Sequence, residues 1–336
     1  MRHVKVACLF LILTLFIFLL VAIEVYAGAK GLILIATYGA GEKAETILSK
    51  IREEYENKLL IIITNPNSYI LQNYQVRVDL SSVASKLPRP FSIRTASGTV
   101  VPYCFEQSNG ECSTSPTNII WVKVPEIPAG GSIELKIESE GGPSTGSGVF
   151  DFYDDFTAGL SKWTVESGST CSQSNGQVKA NVGYTCTLRA NFTFNKGRAF
   201  EAYCSNFGTR GADDWGVNIA PASVSWSHAL PQPGYSIDYQ GDWGPEIHIH
   251  DTSTGSIWAI ERIKTTTGWH LLTLMVTPDG RVYGSVDNGQ RKGNLSWNTS
   301  YTYLRLRMIT SSQPTTCEWA RVRKIANSEV TVQVKQ

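Results

Sequence analysis

The chain has 336 residues, enough for two domains of ordinary size with a core in each. Its 30 Lys and Arg against 29 Asp and Glu give a formal net charge of +1, so no overall field recruits nucleic acid or an acidic partner. Charged residues are only 18% of the chain while Gly and aromatics are plentiful, a balance that fits an all-β extracellular protein and argues against a cytosolic helical enzyme.

The first segment opens with Arg2 and Lys5 and continues as an uncharged apolar run from Val6 to Ile23, followed by the small residues Ala27-Gly28-Ala29. Residues 1–29 therefore have the form of a secretory signal peptide cut after Ala27 or Ala29. The run is also just long enough to span a bilayer, so an uncleaved signal anchor is the alternative. Either way the basic start keeps the N-terminus inside and sends the rest out. In residues 30–57, Ile47, Leu48, Ile51 and Tyr55 recur at helical spacing behind Glu42 and Glu45, which predicts a short amphipathic helix. The expected fold is thus mainly β, with an N-terminal apolar helix and this short second helix.

From residue 58 to 138 the period becomes alternating. In "YQVRVDL", Tyr74, Val76, Val78 and Leu80 point one way and Gln75, Arg77 and Asp79 the other, as in a half-buried strand. Similar runs separated by turn residues predict a small antiparallel β-sandwich. The series "LLIIITNPNSYILQNYQVRVDL", "FSIRTASGTVVPYCFE" and "IIWVKVPEIPAGGSIELKI", over about Tyr55 to Glu138, resembles the domain of unknown function 2341, with "WVKVPEIPAGGS" its most specific part. That resemblance implies a secreted or membrane-attached protein and no particular reaction.

"ESEGGPSTGSG" supplies a Gly/Ser/Pro linker at 139–148. Beyond it, residues 149–336 hold short strands at regular spacing with hairpin signals at Asp279-Gly280 and Asn288-Gly289, which predicts a second β-sandwich. The opening "DDF…KW", the central "WHLLTLMV" and the closing "EWARVRK" resemble the concanavalin A-like, laminin G-like jelly-roll domains. Lectins and glycosidases both use that fold, so the resemblance implies architecture without deciding activity.

Six cysteines follow Cys8, and an even number in an exported chain implies disulfides. Cys104 and Cys112 flank a turn, Cys171 and Cys186 flank a hairpin, and Cys204 is left with Cys317. No Cys-x-x-Cys pair offers a zinc site. Asn191, Asn294 and Asn298 begin sequons and are candidate glycosylation sites.

The stretch Gly244-Pro-Glu-Ile-His-Ile-His-Asp251 puts Glu246, His248 and His250 on one face of a strand. Read against the Glu-x-Asp-x-x-Glu motif of laminarinase-like glycosidases on this fold, Glu246 fills the first position, His248 replaces the Asp, and His250 or Asp251 falls where the second Glu belongs. Retaining hydrolysis needs two carboxylates about 5–5.5 Å apart, so no catalytic residue is expected. The same three side chains could ligate a metal, but the reading given most weight is an ordinary strand with a solvated polar face. Trp215, Trp226, Tyr239 and Trp243, interleaved with Asp214 and Asp238, supply aromatic faces and carboxylates of the kind that contact sugars. Together with Glu246 and His248 they are the candidate glycan-binding residues; the competing view puts several of the aromatics in the core. Arg305 with Arg307, and Arg321 with Arg323, form same-face pairs that could bind an anionic glycan, although paired surface arginines are the commoner case. Asp154 and Asp155 are candidate ligands of one structural calcium, the only cofactor considered.

The sequence therefore points to an exported cell-surface protein, a non-catalytic recognition or adhesion module. Its expected partner is a surface polysaccharide or another surface protein, not nucleic acid. Its N-terminal segment would contact the membrane if uncleaved. Two alternatives are a pilin-like subunit of a surface filament or homo-oligomer, and a glycoside hydrolase with a degenerate motif.

Overall fold

The computed structural model describes residues 26–28, 31–33, 59–206, 214–240, 246–253 and 259–336. The apolar helix and the short amphipathic helix expected before residue 58 lie outside the described residues. Near the expected cleavage site the backbone is a small hairpin, Tyr26–Gly28 paired with Gly31–Ile33. Among the described residues no helix is long and apolar enough to cross a membrane.

Residues 59–336 form one compact unit that contains two β-sandwiches. In the smaller, a five-stranded sheet runs in the order Thr331–Lys335, Leu59–Thr64, Ser132–Ser139, Phe91–Thr95 and Val100–Val101. It packs on a four-stranded sheet ordered Leu71–Asp79, Ile119–Ile127, Tyr103–Glu106 and Cys112–Ser113. Alternation sets the core: Ile61, Ile63, Tyr74, Val76, Val78, Val122 and Leu135 are buried in one cluster.

The final strand corrects the expected boundary, because it does not stay with the second sandwich. Thr331–Lys335 returns to pair with Leu59–Thr64, Val332 opposite Ile63 and Val334 opposite Ile61. "LLIIIT" is apolar on both faces, and as an edge strand it would be a template for association. The returning strand covers that edge, and Val332 and Val334 pack on the small core.

The expected flexible linker is also built into the fold. Gly146–Val149 makes a helical turn, and a Cβ on Gly146 would lie 2.3 Å from the Tyr153 ring, so only glycine fits there. Val149, Phe150, Tyr153 and Trp121 form a cluster around the Cys104–Cys112 bridge. The Tyr153 hydroxyl donates to the Cys112 carbonyl at 3.1 Å and accepts from its amide at 3.0 Å. Gln75, expected to face water, donates to the Val149 carbonyl and accepts from the Lys324 amide.

In the jelly roll, one sheet of eight strands contains Gln177–Ala180, Thr315–Lys324, Arg198–Asn206, Gly268–Val276 and Arg281–Val286 in that order, with Phe152–Asp154 added on Thr315–Lys324. The opposing seven-stranded sheet is ordered Trp163–Val165, Thr185–Thr193, Tyr303–Ile309, Asp214–Ala220, Tyr235–Gln240, Glu246–Asp251 and Ala259–Lys264. Between them lie Leu188, Phe200, Val217, Ile237, Ile249, Leu272, Leu306 and Val322. Three disulfides join Cys104 to Cys112, Cys171 to Cys186 and Cys204 to Cys317, and they are consistent with an extracellular or lumenal protein.

Arg321 is corrected from a surface arginine to a buried one, and Arg323 to a half-buried one. Glu201 sits between them, 2.5 Å from Arg321 Nε and 2.8 Å from Arg323 Nε. Burial works to raise the Glu201 pKa, but the two guanidinium groups pull it down to about 2. The Arg321 guanidinium also stacks within 5 Å of Trp121, Phe150 and Trp319 and donates to the Gly110 carbonyl. That residue thereby bridges the two sandwiches.

Candidate functional site

The seven-stranded sheet has one face in the core and one outside it. Trp215, Val217, Ile219, Ile237, Tyr239, Ile247 and Ile249 take the inner face. The period of two then sends Gly216, Asn218, Ser236, Asp238, Gln240, Glu246, His248 and His250 to the outer one. Pairing register lines them up across strands: Arg307, Gly216, Asp238, His248 and Arg262 form one row. Arg305, Asn218, Ser236 and His250 form the next.

This face is polar and largely buried. His248 and His250 are each 2% exposed, which overturns the solvated-strand reading of "EIHIHD". The polar groups instead meet each other. His248 Nε2 is 3.1 Å from Glu246 Oε2, and His250 Nε2 is 3.4 Å from Asp238 Oδ1. Asp238 also accepts from Ser236 Oγ at 3.2 Å and from Gln240 Nε2 at 2.8 Å. The side-chain oxygen of Asn218, fully buried, has no hydrogen-bond partner among the described residues. At the rim, Glu246 keeps 19% side-chain exposure and Arg262 and Lys264 are exposed.

A hairpin, Ser225–Ser227 paired with Leu230–Gln232, folds back along the outer face. Its approach is fixed by Arg305, fully buried, which donates to the Pro221 and Ala222 carbonyls and forms an ion pair with Glu166 at 2.7 Å. At the hairpin tip, the His228 ring lies 3.5 Å from Asp214 Oδ2, and the His228 carbonyl accepts from Arg307 Nε at 2.9 Å. The Arg307 guanidinium stacks over the Trp226 ring at 4.3 Å. Neither member of the Arg305–Arg307 pair is the free surface arginine expected from sequence.

The candidate glycan contacts are sorted accordingly. Trp215 and Tyr239 are fully buried in the sandwich core and are corrected from contact residues to core residues. Asp214, Asp238, Glu246 and His248 are brought together on the outer face, with Trp226 above it on the hairpin. Trp243 lies outside the described residues. Gly216, Ser236, Gln240 and His228 join the site without having been singled out. The alternation in "DWGVNIA" and "YSIDYQ" carries that signal for the strand residues, but the hairpin's contacts leave none in sequence.

For the degenerate glycosidase motif, Asp251 points to the opposite face from Glu246, opposite Tyr235 in register, and its Oδ1 accepts from the Ser253 amide. Glu246 and Asp251 therefore do not form a carboxylate pair across one ligand.

Asp154, the first candidate calcium ligand, is already engaged by protein donors. It is buried, and its carboxylate accepts from Trp163 Nε1 at 2.6 Å and the Phe156 amide at 3.2 Å. Burial pushes its pKa up. Asp155 accepts from the Thr157 amide and hydroxyl and lines a cleft of about 220 Å³ with Glu111, Glu318, Asn109 and Gln177. Among the described residues no three His, Cys, Asp or Glu side chains converge to hold a metal. Asn191, Asn294 and Asn298, the sequon residues, are all exposed.

Residues 91–166 match the model of a family described as a domain of unknown function, DUF2341. That segment is similar to DUF2341. The match runs from Phe91 to Glu166, so it begins later than expected and passes the 138 boundary to take in the helical turn and the first jelly-roll strands. The matched segment thus spans the junction and not the small sandwich alone. No curated protein matches. Solved structures similar to the chain include the carbohydrate recognition domain of Emp46p in its potassium-bound form (13% identity, 51% of this chain and 92% of that one, TM-score 0.40). Another is a β-1,3-glucanase from Mycobacterium marinum (15% identity, 52% and 98%, TM-score 0.37). At these identities no residue role carries over.

Proposed function

We propose that this is an exported surface protein whose jelly roll recognises glycan, without catalysis, on the outer face of the seven-stranded sheet. The observation that carries the reading is the row of hydrogen-bonding groups there, Asn218, Ser236, Asp238, Gln240, Glu246 and His248, beside the Trp226 ring. Hydroxyl, amide, carboxylate and imidazole groups held in fixed positions match the alternating donors and acceptors of a sugar, and an aromatic face matches its C–H groups. A buried acceptor without a partner, Asn218 Oδ1, marks where a ligand hydroxyl can donate. Export is supported by the three disulfides and by the apolar start of the chain.

A glycan array probed with the full chain, and with a variant carrying Glu246→Ala at the rim and His248→Ala beside it, tests this. Loss of charge-assisted hydrogen bonds is expected to weaken binding by roughly 10-fold or more. An array with no bound glycan, or equal binding by the variant, would sink the proposal. Release of reducing sugar from a bound glycan would replace recognition with hydrolysis.

A further inference from the structure

Arg307 differs from Arg305, Arg321 and Arg323, the other three arginines of the two same-face pairs. Arg305 has Glu166, and Arg321 and Arg323 share Glu201. Half-buried Arg307 has no carboxylate within ion-pair distance among the described residues; Glu166, the acid that acts on it electrostatically, is bonded to Arg305. Burial pulls its pKa down to about 10, and the more distant Glu166 charge only partly offsets this.

The guanidinium is nonetheless fixed. Nε donates to the His228 carbonyl at 2.9 Å, Nη1 donates to the hydroxyl of fully buried Thr187 at 2.6 Å, and one planar face lies on Trp226. Among the described residues Nη2 makes no hydrogen bond. The nearest acid on the adjacent strand, Asp214, meets the His228 ring at 3.5 Å. Next to Arg307 in the row comes Gly216, then Asp238. A Cβ at Gly216 would lie 2.7 Å from that of Asp238, so the row has no side chain between the cation and the hydrogen-bonding groups.

We infer that Arg307, held by Trp226, Thr187 and the His228 carbonyl, receives the oxyanion of an acidic sugar, a carboxylate or a sulfate ester, so that the glycan taken by this face is anionic. A planar fork with a free donor edge suits both groups. The Trp226 ring strengthens the cation's hold on its position. The inference rests on the glycan-recognition reading and names the ligand class for it.

Titration calorimetry of the full chain would use three sets of oligosaccharides of equal length: uronate-bearing, sulfated and neutral. Each would be run against wild type, Arg307→Gln and Arg307→Lys, with thermal unfolding of each variant beside it. Acidic oligosaccharides are expected to bind more tightly than neutral ones, with the uronate and sulfate arms deciding which anion. Arg307→Gln is expected to lose roughly 10- to 100-fold for the acidic set alone. Arg307→Lys, which keeps the charge, is expected to lose less and to retain the preference, and it decides the matter if the Gln variant does not fold. Neutral and acidic ligands bound equally by wild type would overturn the inference while leaving glycan recognition standing. An equal loss for both classes with a lowered unfolding midpoint would reduce Arg307 to a clamp on the hairpin. No binding of any of the three would remove the glycan-recognition reading and this inference together.

Discussion

His270 is held at both ring nitrogens by acceptors. Nδ1 lies 2.9 Å from Asp287 Oδ2, and Nε2 donates to the Thr266 carbonyl at 2.8 Å. Two acceptors on two nitrogens favour the imidazolium over either neutral tautomer. Burial lowers its pKa, but the Asp287 and Thr266 hydrogen bonds more than offset this and the net shift is upward. A histidine raised above its unfolded value contributes stability that is full below that value and is lost as pH rises through the folded pKa. Asp287, shifted down, contributes stability present above the unfolded carboxylate value and lost in acid. Wild type is therefore expected to lose stability through this pair as pH rises above the ordinary histidine value, and His270→Gln is expected to show a flatter profile there. Urea denaturation across that rise in pH measures it, and parallel profiles would rule the pair out as the source. None of this is visible in "GWHLLTL", where His270 is one polar residue in an apolar run. Asp287 reaches it from a turn after the next strand.

At the scale of elements, the last strand shows how type and partner separate. "TVQVK" alternates, so a strand is legible there. Its partner is not, because an alternating strand fits any edge whose exposed face is apolar. The edge it takes is that of Leu59–Thr64, at the far end of the described unit. A chain truncated after Ser328 is expected to expose "LLIIIT" as an edge and to self-associate as well as unfold at lower temperature. Size-exclusion chromatography with thermal scanning reads both, and a monomer with an unchanged midpoint would deny the strand this role. The hairpin at Ser225–Gln232 makes the same point for the site. Its turn residues are recognisable in sequence, but its fold back over Arg305 and Arg307 depends on carbonyls that any residue carries.

At the scale of the molecule, the two sandwiches are joined through side chains that sequence patterns place on the surface. Trp319 Nε1 donates to the Asn109 carbonyl, and Gly110, at φ +82°, brings its backbone against the Trp319 ring. Arg321 ties the Gly110 carbonyl to Glu201. Removing the Glu201 charge leaves the Arg321 and Arg323 guanidinium groups without their shared carboxylate. Glu201→Gln is expected to destabilise the unit by about 3–5 kcal/mol, the range for breaking one side of a buried pair. Denaturant unfolding measures the loss, and a change under about 1 kcal/mol would show that the aromatic stack alone holds the junction.

Composition, alternation and cysteine spacing by themselves determined a mainly β, disulfide-bonded chain with two sandwiches, since those properties follow from local period and from loop lengths the chain itself sets. Which face of each strand is wet was decided only by the tertiary structure. In "EIHIHD" the period put the histidines opposite the core, but neighbouring strands and a returning hairpin turned that outer face into a buried polar layer. Trp215 and Tyr239 likewise went to the core because their strands' register points them inward, whatever their chemical suitability for sugar. Period is a property of one strand, whereas burial on its second face depends on segments brought from elsewhere in the chain.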